Sequence, residues 1–163
     1  MQVKRIDKWL NAMELSDGLI KKNILDWLEE EGSITARISS HAEFKLEILN
    51  DDIGVAEDEE YIALEIPPEE VRIREVVLYG DLVPLVYARS IIPELTASKG
   101  YPGLGTIGSK PLGDLLFQSK LFIKIRREFA QFQTSSKEVV WGRRTHYVVR
   151  GYPLSVMEVF LLS

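Results

Sequence analysis

The chain has 163 residues, 45% of them hydrophobic, which is enough for one ordinary core, so we expect a single domain spanning residues 1–163. It contains no cysteine and only two histidines, which excludes disulfides, thiolate nucleophiles and metal sites rich in sulfur or histidine. A formal net charge of −5 at pH 7 argues against nucleic acid as a partner, because nonspecific affinity for phosphates depends on a basic surface.

The amino-terminal stretch MQVKRIDKWLNAMEL mixes charged and apolar residues and lacks the apolar core of a signal peptide. No run of about 18 apolar residues, the length that spans a bilayer, occurs in the chain. We therefore expect a cytoplasmic protein that does not insert into a membrane.

Two segments have helical periodicity. In SDGLIKKNILDWLEEEG, Ser16 and Asp17 are candidate caps and Gly32 ends the pattern. The second segment, SKPLGDLLFQS, begins at Ser109 and has Pro111 in its first turn, where a missing N–H is tolerated. The sequence predicts a helix in each segment. The apolar stripe of the first helix comprises Leu19, Ile20, Ile24, Leu25 and Leu28.

The stretch NDDIGVAEDEEY, residues 50–61, carries six acidic residues. A calcium-binding EF-hand loop needs ligands at alternate positions and a closing glutamate at the twelfth, and this stretch lacks that pattern. We interpret it as a solvated loop without a calcium site.

Six further segments alternate between apolar and polar residues or are continuously apolar, as strands are. They are FKLEIL, VRIREVVLYG, VPLVYARSII, LFIKIRREFAQF, EVVWGRRTHYVVRG and PLSVMEVFLL. Short connections between neighbours require antiparallel pairing, because a parallel pair needs a long crossover. The sequence therefore predicts an α+β fold, with a mostly antiparallel sheet of about six strands and helices on one face.

The stretch GLGTIG, residues 103–108, matches the letters of the dinucleotide-binding fingerprint. That fingerprint functions only where a parallel strand runs into a helix, and the preceding TASKGYPGLG has no strand character. We therefore reject nucleotide binding here and predict a flexible loop that folds over a ligand.

Arginines cluster in the stretches KIRRE and WGRR. Most of them, including Arg126, Arg127, Arg143 and Arg144, are expected to line a solvent-exposed face or to pair with the abundant acidic residues. We assign them no binding role from the sequence.

Three charged residues, Arg74, Arg89 and Glu158, stand in phase with apolar neighbours in their strands. Burying any one of them alone costs several kcal/mol, so each needs a partner. One interpretation is mutual neutralisation, in which Glu158 forms a structural ion pair with one arginine. The other is an enclosed cavity whose two arginines and one acid bind a negatively charged ligand, with its carboxylates held bidentately.

Three blocks of sequence, IREVVLYGDLVPLVYARSIIP, IGSKPLGDLLF and WGRRTHYVVRGYPLSVMEVFL, resemble the chorismate pyruvate-lyase family in their order and spacing. A fainter match, LDWLEEEGSITARI, extends the resemblance over most of the chain. The family splits chorismate into 4-hydroxybenzoate, for ubiquinone biosynthesis, and pyruvate. The resemblance implies a single-domain enzyme without cofactor or metal, built on a mostly antiparallel six-stranded sheet.

The same resemblance implies roles for particular residues. Arg74 matches the arginine that clamps the ring carboxylate, and Glu158 matches the acid that contacts the ring hydroxyl, where it orients the substrate or acts as the base. Ile34 and Leu112 correspond to positions that contact the ligand, largely through their backbone. Arg89 matches an arginine associated with activity, and we expect it to bind the enolpyruvyl carboxylate.

The alternative is a non-catalytic domain that senses small carboxylates, because the same fold serves as the effector domain of some bacterial transcription regulators. Those regulators carry a DNA-binding domain before the sensor, and only about 32 residues precede the family-like region here, too few for such a domain. A lyase acting on another chorismate-derived substrate is a third possibility. We favour a chorismate lyase, acting as a monomer, with chorismate and 4-hydroxybenzoate as its small-molecule partners.

Overall fold

The structure is a computed structural model that describes residues 1–16 and 20–162. Within these residues seven strands form one sheet, in which all neighbouring strands are antiparallel. The strands are β1 (Val3–Arg5), β2 (Phe44–Val55), β3 (Glu70–Gly80), β4 (Val83–Pro93), β5 (Phe122–Thr134), β6 (Val139–Val149) and β7 (Tyr152–Phe160). Their spatial order is β1-β5-β6-β7-β4-β3-β2, so β7, the last strand in the chain, lies in the middle of the sheet.

In the part of the chain that the structure describes, five short α-helices are inserted between the strands: α1 (Ala12–Ser16), α2 (Lys22–Leu28), α3 (Ile34–Ser39), α4 (Asp58–Leu64) and α5 (Leu112–Gln118). A π-helical turn at Thr96–Gly100 and a 3-10 turn at Leu104–Thr106 lie between β4 and α5. Among the described residues, no helix has both the length and the apolar character needed to cross a membrane.

Two-residue turns connect β3 to β4 and β6 to β7. Asp81 and Leu82 join β3 to β4 with φ angles of 50° and 64°, and Arg150 and Gly151 join β6 to β7 with φ angles of 50° and 87°. Positive φ at both central residues gives a turn whose twist matches that of antiparallel strands. The short connections therefore produce the antiparallel pairing that the sequence predicts.

The two faces of the sheet carry different layers. We call the face that bears Arg74 and Glu158 the front face, and the opposite one the back face. Helices α1, α2 and α3 cover the front face through a cluster that includes Leu28 and Phe160, and α5 covers a second cluster beside it. Helix α4 packs on the back face through Tyr61. The predicted α+β fold is confirmed, although one helix lies on the opposite side from the rest.

The predicted solvated loop at residues 50–61 is wrong. Its first part continues β2 to Val55, and its acidic second part begins helix α4. The side chains of Glu57 and Glu60 each accept a hydrogen bond from the other's backbone N–H, which is the capping box that starts a helix. The acidic residues therefore stabilise a helix terminus rather than a loop.

The first predicted helix is shorter than its pattern, since α2 begins at Lys22 and ends at Leu28. The proposed cap Asp17 and the stripe residue Leu19 lie outside the described residues. The second predicted helix is confirmed as α5, with Pro111 at its N-cap position. Strand β1, which covers the edge of β5, was not predicted because three residues carry too little pattern.

Candidate active site

A small cavity of about 30 Å³, which we call the inner cavity, lies between the front face and the first turns of α3 and α5. Strands β2, β3, β4 and β7 form its floor. Four residues that the sequence assigns to ligand contact, Ile34, Arg74, Leu112 and Glu158, all line it. The structure therefore brings together residues that are far apart in the chain.

Arg74 is held rigidly in the floor of this cavity. Only 2% of it is exposed, its Nη1 donates to Asp51 Oδ2 (3.0 Å) and its Nη2 donates to the Lys110 carbonyl (2.9 Å). Asp51 stands opposite Arg74 in the pairing of β2 with β3, and it also accepts from Arg72 Nη1 at 3.1 Å. These contacts fix the guanidinium plane, and a fixed plane favours bidentate recognition of a carboxylate.

Glu158 lies opposite Arg143 in the pairing of β7 with β6. Arg143 Nε donates to Glu158 Oε1 at 2.9 Å, and both side chains are largely buried. The Glu158 carboxylate, which stands in phase with apolar residues of its strand, is therefore oriented by the guanidinium of Arg143. Glu158 does form an ion pair with an arginine, as the mutual-neutralisation interpretation expected. The arginine is Arg143, however, and not Arg74 or Arg89.

Pairing of Arg143 with an acidic residue was one of two expected alternatives and is confirmed, but the sequence analysis did not predict that this pair is buried in the candidate site. Arg143 is 2% exposed, and its Nη1 also donates to the carbonyls of Leu28 (3.1 Å) and Glu30 (2.7 Å) at the end of α2. A cation at a helix carboxyl terminus is favourable because the last carbonyls have no partner within the helix. Arg143 is two residues from Trp141 and therefore lies on the same face of the strand. This position beside an apolar residue was the sequence signal that could have indicated its burial.

A second cavity of about 230 Å³, the outer cavity, adjoins the inner one. Glu158 and Ile34 line both, as do Gly113 and Val156. Tyr147 lines the outer cavity only, and burial, followed by the charge of Glu158, raises the pKa of its hydroxyl. Exposed side chains at the rim of the outer cavity include Glu31, Phe117 and Lys120.

The roof of the inner cavity is tied together by Ser33 and Asp114. The Ser33 hydroxyl donates to the Asp114 carboxylate and accepts from the Ala36 amide at 3.1 Å, so it caps α3 and links it to α5. The space of about 30 Å³ is several times smaller than an apolar cavity of about 150 Å³ that binds benzene. A ring-shaped ligand therefore enters only if this roof lifts and the two cavities merge.

Arg89 does not reach the inner cavity. It lies on the back face, where its Nε and Nη2 donate to Glu60 at 2.9 Å and 2.8 Å and its Nη1 lies 3.5 Å from Glu75. Burial disfavours the Glu60 charge, but the hydrogen bonds from Arg89 and the Glu57 amide outweigh it and lower the pKa of Glu60. The expectation that Arg89 shares a cavity with Arg74 is therefore wrong, and this removes the basis for assigning the enolpyruvyl carboxylate to Arg89.

A β-bulge explains this correction. The turn pairs Gly80 with Val83, and that register, continued without interruption, would put Arg74 opposite Arg89. The register shifts by one residue beside Leu78, so Arg74 stands opposite Ser90 instead. A slip of one residue moves every later side chain of a strand to the other face.

A larger cavity of about 730 Å³ lies on the back face. Arg89 and Arg144 line it together with Glu59, Glu60 and Glu75. Each of these arginines is already paired with carboxylates of the protein, at distances from 2.6 to 3.5 Å. We therefore place the candidate active site in the smaller cavities of the front face, despite the difference in volume.

The glycine-rich segment has no nucleotide-binding geometry, because the sheet that it follows is antiparallel. Gly103 and Gly108 have φ angles of 101° and 65°, which other residues rarely adopt. Between them, Leu104 is buried in the front-face cluster. The segment ends at Lys110, whose carbonyl accepts a hydrogen bond from Arg74, so its end lies beside the inner cavity. That the segment folds over a ligand stays a prediction. Within the described residues, no group of three or more histidine, aspartate or glutamate side chains is arranged to hold a metal ion.

Comparison with known proteins adds an independent finding. The family model described as chorismate lyase matches residues 4–163. A protein of Pseudomonas entomophila named probable chorismate pyruvate-lyase 2 is 36% identical over 162 residues, covering 94% of this chain and 87% of that protein. A chorismate pyruvate-lyase of Pectobacterium carotovorum is 32% identical over 145 residues, covering 88% of this chain and 79% of that protein.

Solved structures are similar in fold alone. The PhnF C-terminal domain superimposes with a TM-score of 0.58 at 15% identity, covering 79% of this chain and 87% of that one. A GntR-family transcriptional regulator of Enterococcus faecalis gives a TM-score of 0.52 at 12% identity, covering 76% of this chain and 93% of that one.

Proposed function

The chain belongs to the chorismate lyase family, and from that premise we propose that it eliminates pyruvate from chorismate to give 4-hydroxybenzoate. The observation that carries the proposal is the convergence of Arg74 and Glu158, with Ile34 and Leu112, on one inner cavity. A cation that can bind a carboxylate and an acid that can bind a hydroxyl match the two polar ends of the ring.

In this proposal Arg74 binds the ring carboxylate. Asp51 and Lys110 hold the guanidinium in place and account for two of its five N–H donors. Apolar side chains, among them Val76 and Ala88, line the same cavity and suit the ring. The substrate is therefore held in one orientation by a preorganised charge and an apolar floor.

The reaction breaks the ether bond between the ring and the enolpyruvyl group. The bonding electrons leave with the enolpyruvyl oxygen, and the ring carbon that bears the hydroxyl loses its proton. The ring becomes aromatic, and protonation of the released enolate gives pyruvate. Because aromatisation supplies much of the driving force, the protein needs mainly to position the substrate and stabilise the developing charge.

Glu158 is the acid placed to orient the ring hydroxyl and to accept a proton. Its Oε1 is bound by Arg143, which keeps the carboxylate facing the cavities. The Arg143 guanidinium also adds positive charge close to the place where the enolate develops. Electrostatic stabilisation by such fixed groups is commonly the largest contribution to catalysis.

The non-catalytic sensing domain receives less support. Its basis is the fold likeness to regulator domains at low identity, whereas the relatives matched at about a third identity carry lyase names. Fold likeness alone does not fix a function.

We also propose that the protein acts as a cytoplasmic monomer without cofactor, metal or nucleic acid, and that its 4-hydroxybenzoate serves ubiquinone biosynthesis. One chain supplies all the residues that line the inner cavity, so a second copy is not needed to complete it. Light scattering of the purified protein at several concentrations tests the monomer, and a stable dimer would contradict it.

The proposal is tested by incubating the purified protein with chorismate and measuring 4-hydroxybenzoate and pyruvate separately. We expect equal amounts of both, at a rate proportional to protein concentration and well above that of heat-denatured protein. No product would refute the lyase, and tight 4-hydroxybenzoate binding without turnover would favour the sensing domain.

A further inference from the structure

A further inference concerns the second carboxylate of the substrate, and it depends on the proposed function. Chorismate carries one carboxylate on its ring and another on its enolpyruvyl group. Arg74 is placed for the first, and Arg89, expected from the sequence to bind the second, lies on the other face of the sheet. The front face must therefore supply a different cation.

The two cavities indicate where the enolpyruvyl group extends. Arg74 lines the inner cavity only, whereas Glu158 lines both. A ring with its carboxylate at Arg74 and its hydroxyl at Glu158 carries the ether on the carbon next to the hydroxyl. The enolpyruvyl group therefore starts beside Glu158 and extends into the outer cavity.

Four cationic residues line the outer cavity: Lys120, Lys124, Arg127 and Arg143. Arg143 is already bound to Glu158 and to the end of α2. Lys120 is exposed at the rim, and Lys124 binds the exposed Glu31 at 2.9 Å. Arg127 remains, on strand β5, with only 11% of its side chain exposed.

Arg127 is anchored but poorly neutralised. Its Nε donates to Thr145 Oγ1 at 2.7 Å and its Nη1 to the Glu30 carbonyl at 3.2 Å, which fixes the guanidinium in the cavity wall. Its recorded ion pair is with Glu31 at 3.4 Å, and that carboxylate is 78% exposed and shared with Lys124. An exposed and shared carboxylate compensates a largely buried guanidinium only weakly.

Burial, followed by repulsion from Arg143, lowers the pKa of Arg127 from its ordinary value. The guanidinium stays charged, since arginine does not lose its proton in proteins. A carboxylate arriving in the outer cavity would offset the repulsion from Arg143 and stabilise the buried charge, because it brings a negative charge beside the guanidinium.

The geometry points to Arg127 as the residue that binds the enolpyruvyl carboxylate of chorismate, and later the pyruvate that leaves through the outer cavity. Arg127 thus selects for a dicarboxylate substrate. It has no contact to make with 4-hydroxybenzoate, whose single carboxylate belongs to Arg74. Substrate and product consequently depend on different arginines.

The test is Arg127→Met, measured against chorismate and 4-hydroxybenzoate in parallel. We expect kcat/KM for chorismate to fall roughly 10- to 100-fold, mainly through KM, as for a lost charge-assisted hydrogen bond. The dissociation constant for 4-hydroxybenzoate should change by less than about twofold. Arg127→Lys should recover part of the loss, since it restores the charge but not the planar fork.

Arg126→Met is the matched control, because Arg126 is adjacent in β5, is exposed and donates to the Ala63 carbonyl. It should leave kcat/KM unchanged. If Arg127→Met does not fold, Arg127→Gln, which keeps a hydrogen-bond donor for Thr145, is judged by the same criteria.

Unchanged kcat/KM in a folded Arg127 variant, or an equal loss of 4-hydroxybenzoate affinity, would overturn the inference while leaving the lyase in place. A wild-type protein that does not convert chorismate would instead overturn the proposed function, and the inference with it.

Discussion

The two faces of the sheet both bury arginines, but they neutralise them differently. On the back face Arg89 donates two hydrogen bonds to Glu60, and Arg144 donates to Glu59 and Glu128. Each guanidinium there is matched by carboxylates of the protein itself. The charges of Arg89 and Arg144 are therefore matched without a ligand.

The front face holds its arginines with a different set of partners. Arg143 donates to Glu158 and to carbonyls of α2, and Arg74 donates to Asp51 and to the Lys110 carbonyl. Carbonyls fix the position of a guanidinium without cancelling its charge. Arg89 and Arg144 on the back face each meet two carboxylates, whereas Arg74 and Arg143 on the front face each meet one carboxylate and backbone carbonyls. The difference teaches that a buried arginine whose charge is less completely matched by the protein's own carboxylates indicates a ligand site.

The largest expected effect comes from Glu158→Gln on the front face. Glutamine keeps the shape and an acceptor for Arg143 but removes the charge, so we expect turnover of chorismate to fall by roughly 100-fold or more with the fold intact. The rate of 4-hydroxybenzoate formation measures this. Glu75→Gln, on the back face, is the matched control and should stay near the parent rate. Parent-level activity of Glu158→Gln would make that acid structural.

On the back face, Arg89→Met should act on stability. The change leaves Glu60 and Glu75 partly buried without their cation, and we expect the free energy of unfolding to drop by about 2–4 kcal/mol. Urea denaturation measures the loss. The double variant with Glu60→Gln should regain part of it, because one unpaired charge is removed. If Arg89→Met left the stability unchanged and abolished turnover, Arg89 would be a residue of the active site and the prediction would be wrong.

A change of pH is expected to have a smaller effect on the stability of the fold, and this effect again arises on the back face. Burial disfavours the Glu128 charge, but the hydrogen bond from His146 and the charge of Arg144 outweigh it and lower the pKa of Glu128 from 4.5 to about 2. Because the folded-state pKa is the lower one, this stabilisation is complete above 4.5 and is lost as the pH falls towards 2. At about 1.36 kcal/mol per pKa unit this shift corresponds to about 3 kcal/mol, and solvent screening of the partly exposed carboxylate reduces the contribution to about 2 kcal/mol.

Glu128→Gln checks this contribution. The difference in unfolding free energy between parent and variant should be large at about pH 6 and should shrink at about pH 3, where the unfolded state already binds the proton. A difference that does not change with pH would show that Glu128 stabilises the fold by its hydrogen bonds alone.

Alternation along single strands predicted much of the candidate site. Arg74 and Glu158 stand in apolar phases of their own strands, and both line the inner cavity. Alternation gives the face only relative to other residues of the same strand. The bulge beside Leu78 reverses the expected relation between Arg74 and Arg89, and no residue type in the sequence marks it.

Two other parts of the site depend on tertiary packing. The acidic run gave no sign that Asp51 would bind Arg74, because that contact needs β2 to continue through the predicted loop. Arg127 and Arg143 were grouped with surface arginines, since each stands next to another arginine that points to the opposite face. Two adjacent arginines in a strand therefore lie on opposite faces of the sheet, and each has to be assigned its environment separately.

The central claim, that a carboxylate is bound on the front face and not on the back, is tested most directly by calorimetric titration of 4-hydroxybenzoate into three proteins. They are the wild type, Arg74→Met and Arg89→Met, compared at a temperature where all are folded. We predict that Arg74→Met weakens binding roughly 10- to 100-fold and that Arg89→Met changes it by less than about twofold. Binding that survives in Arg74→Met but is lost in Arg89→Met would contradict the account.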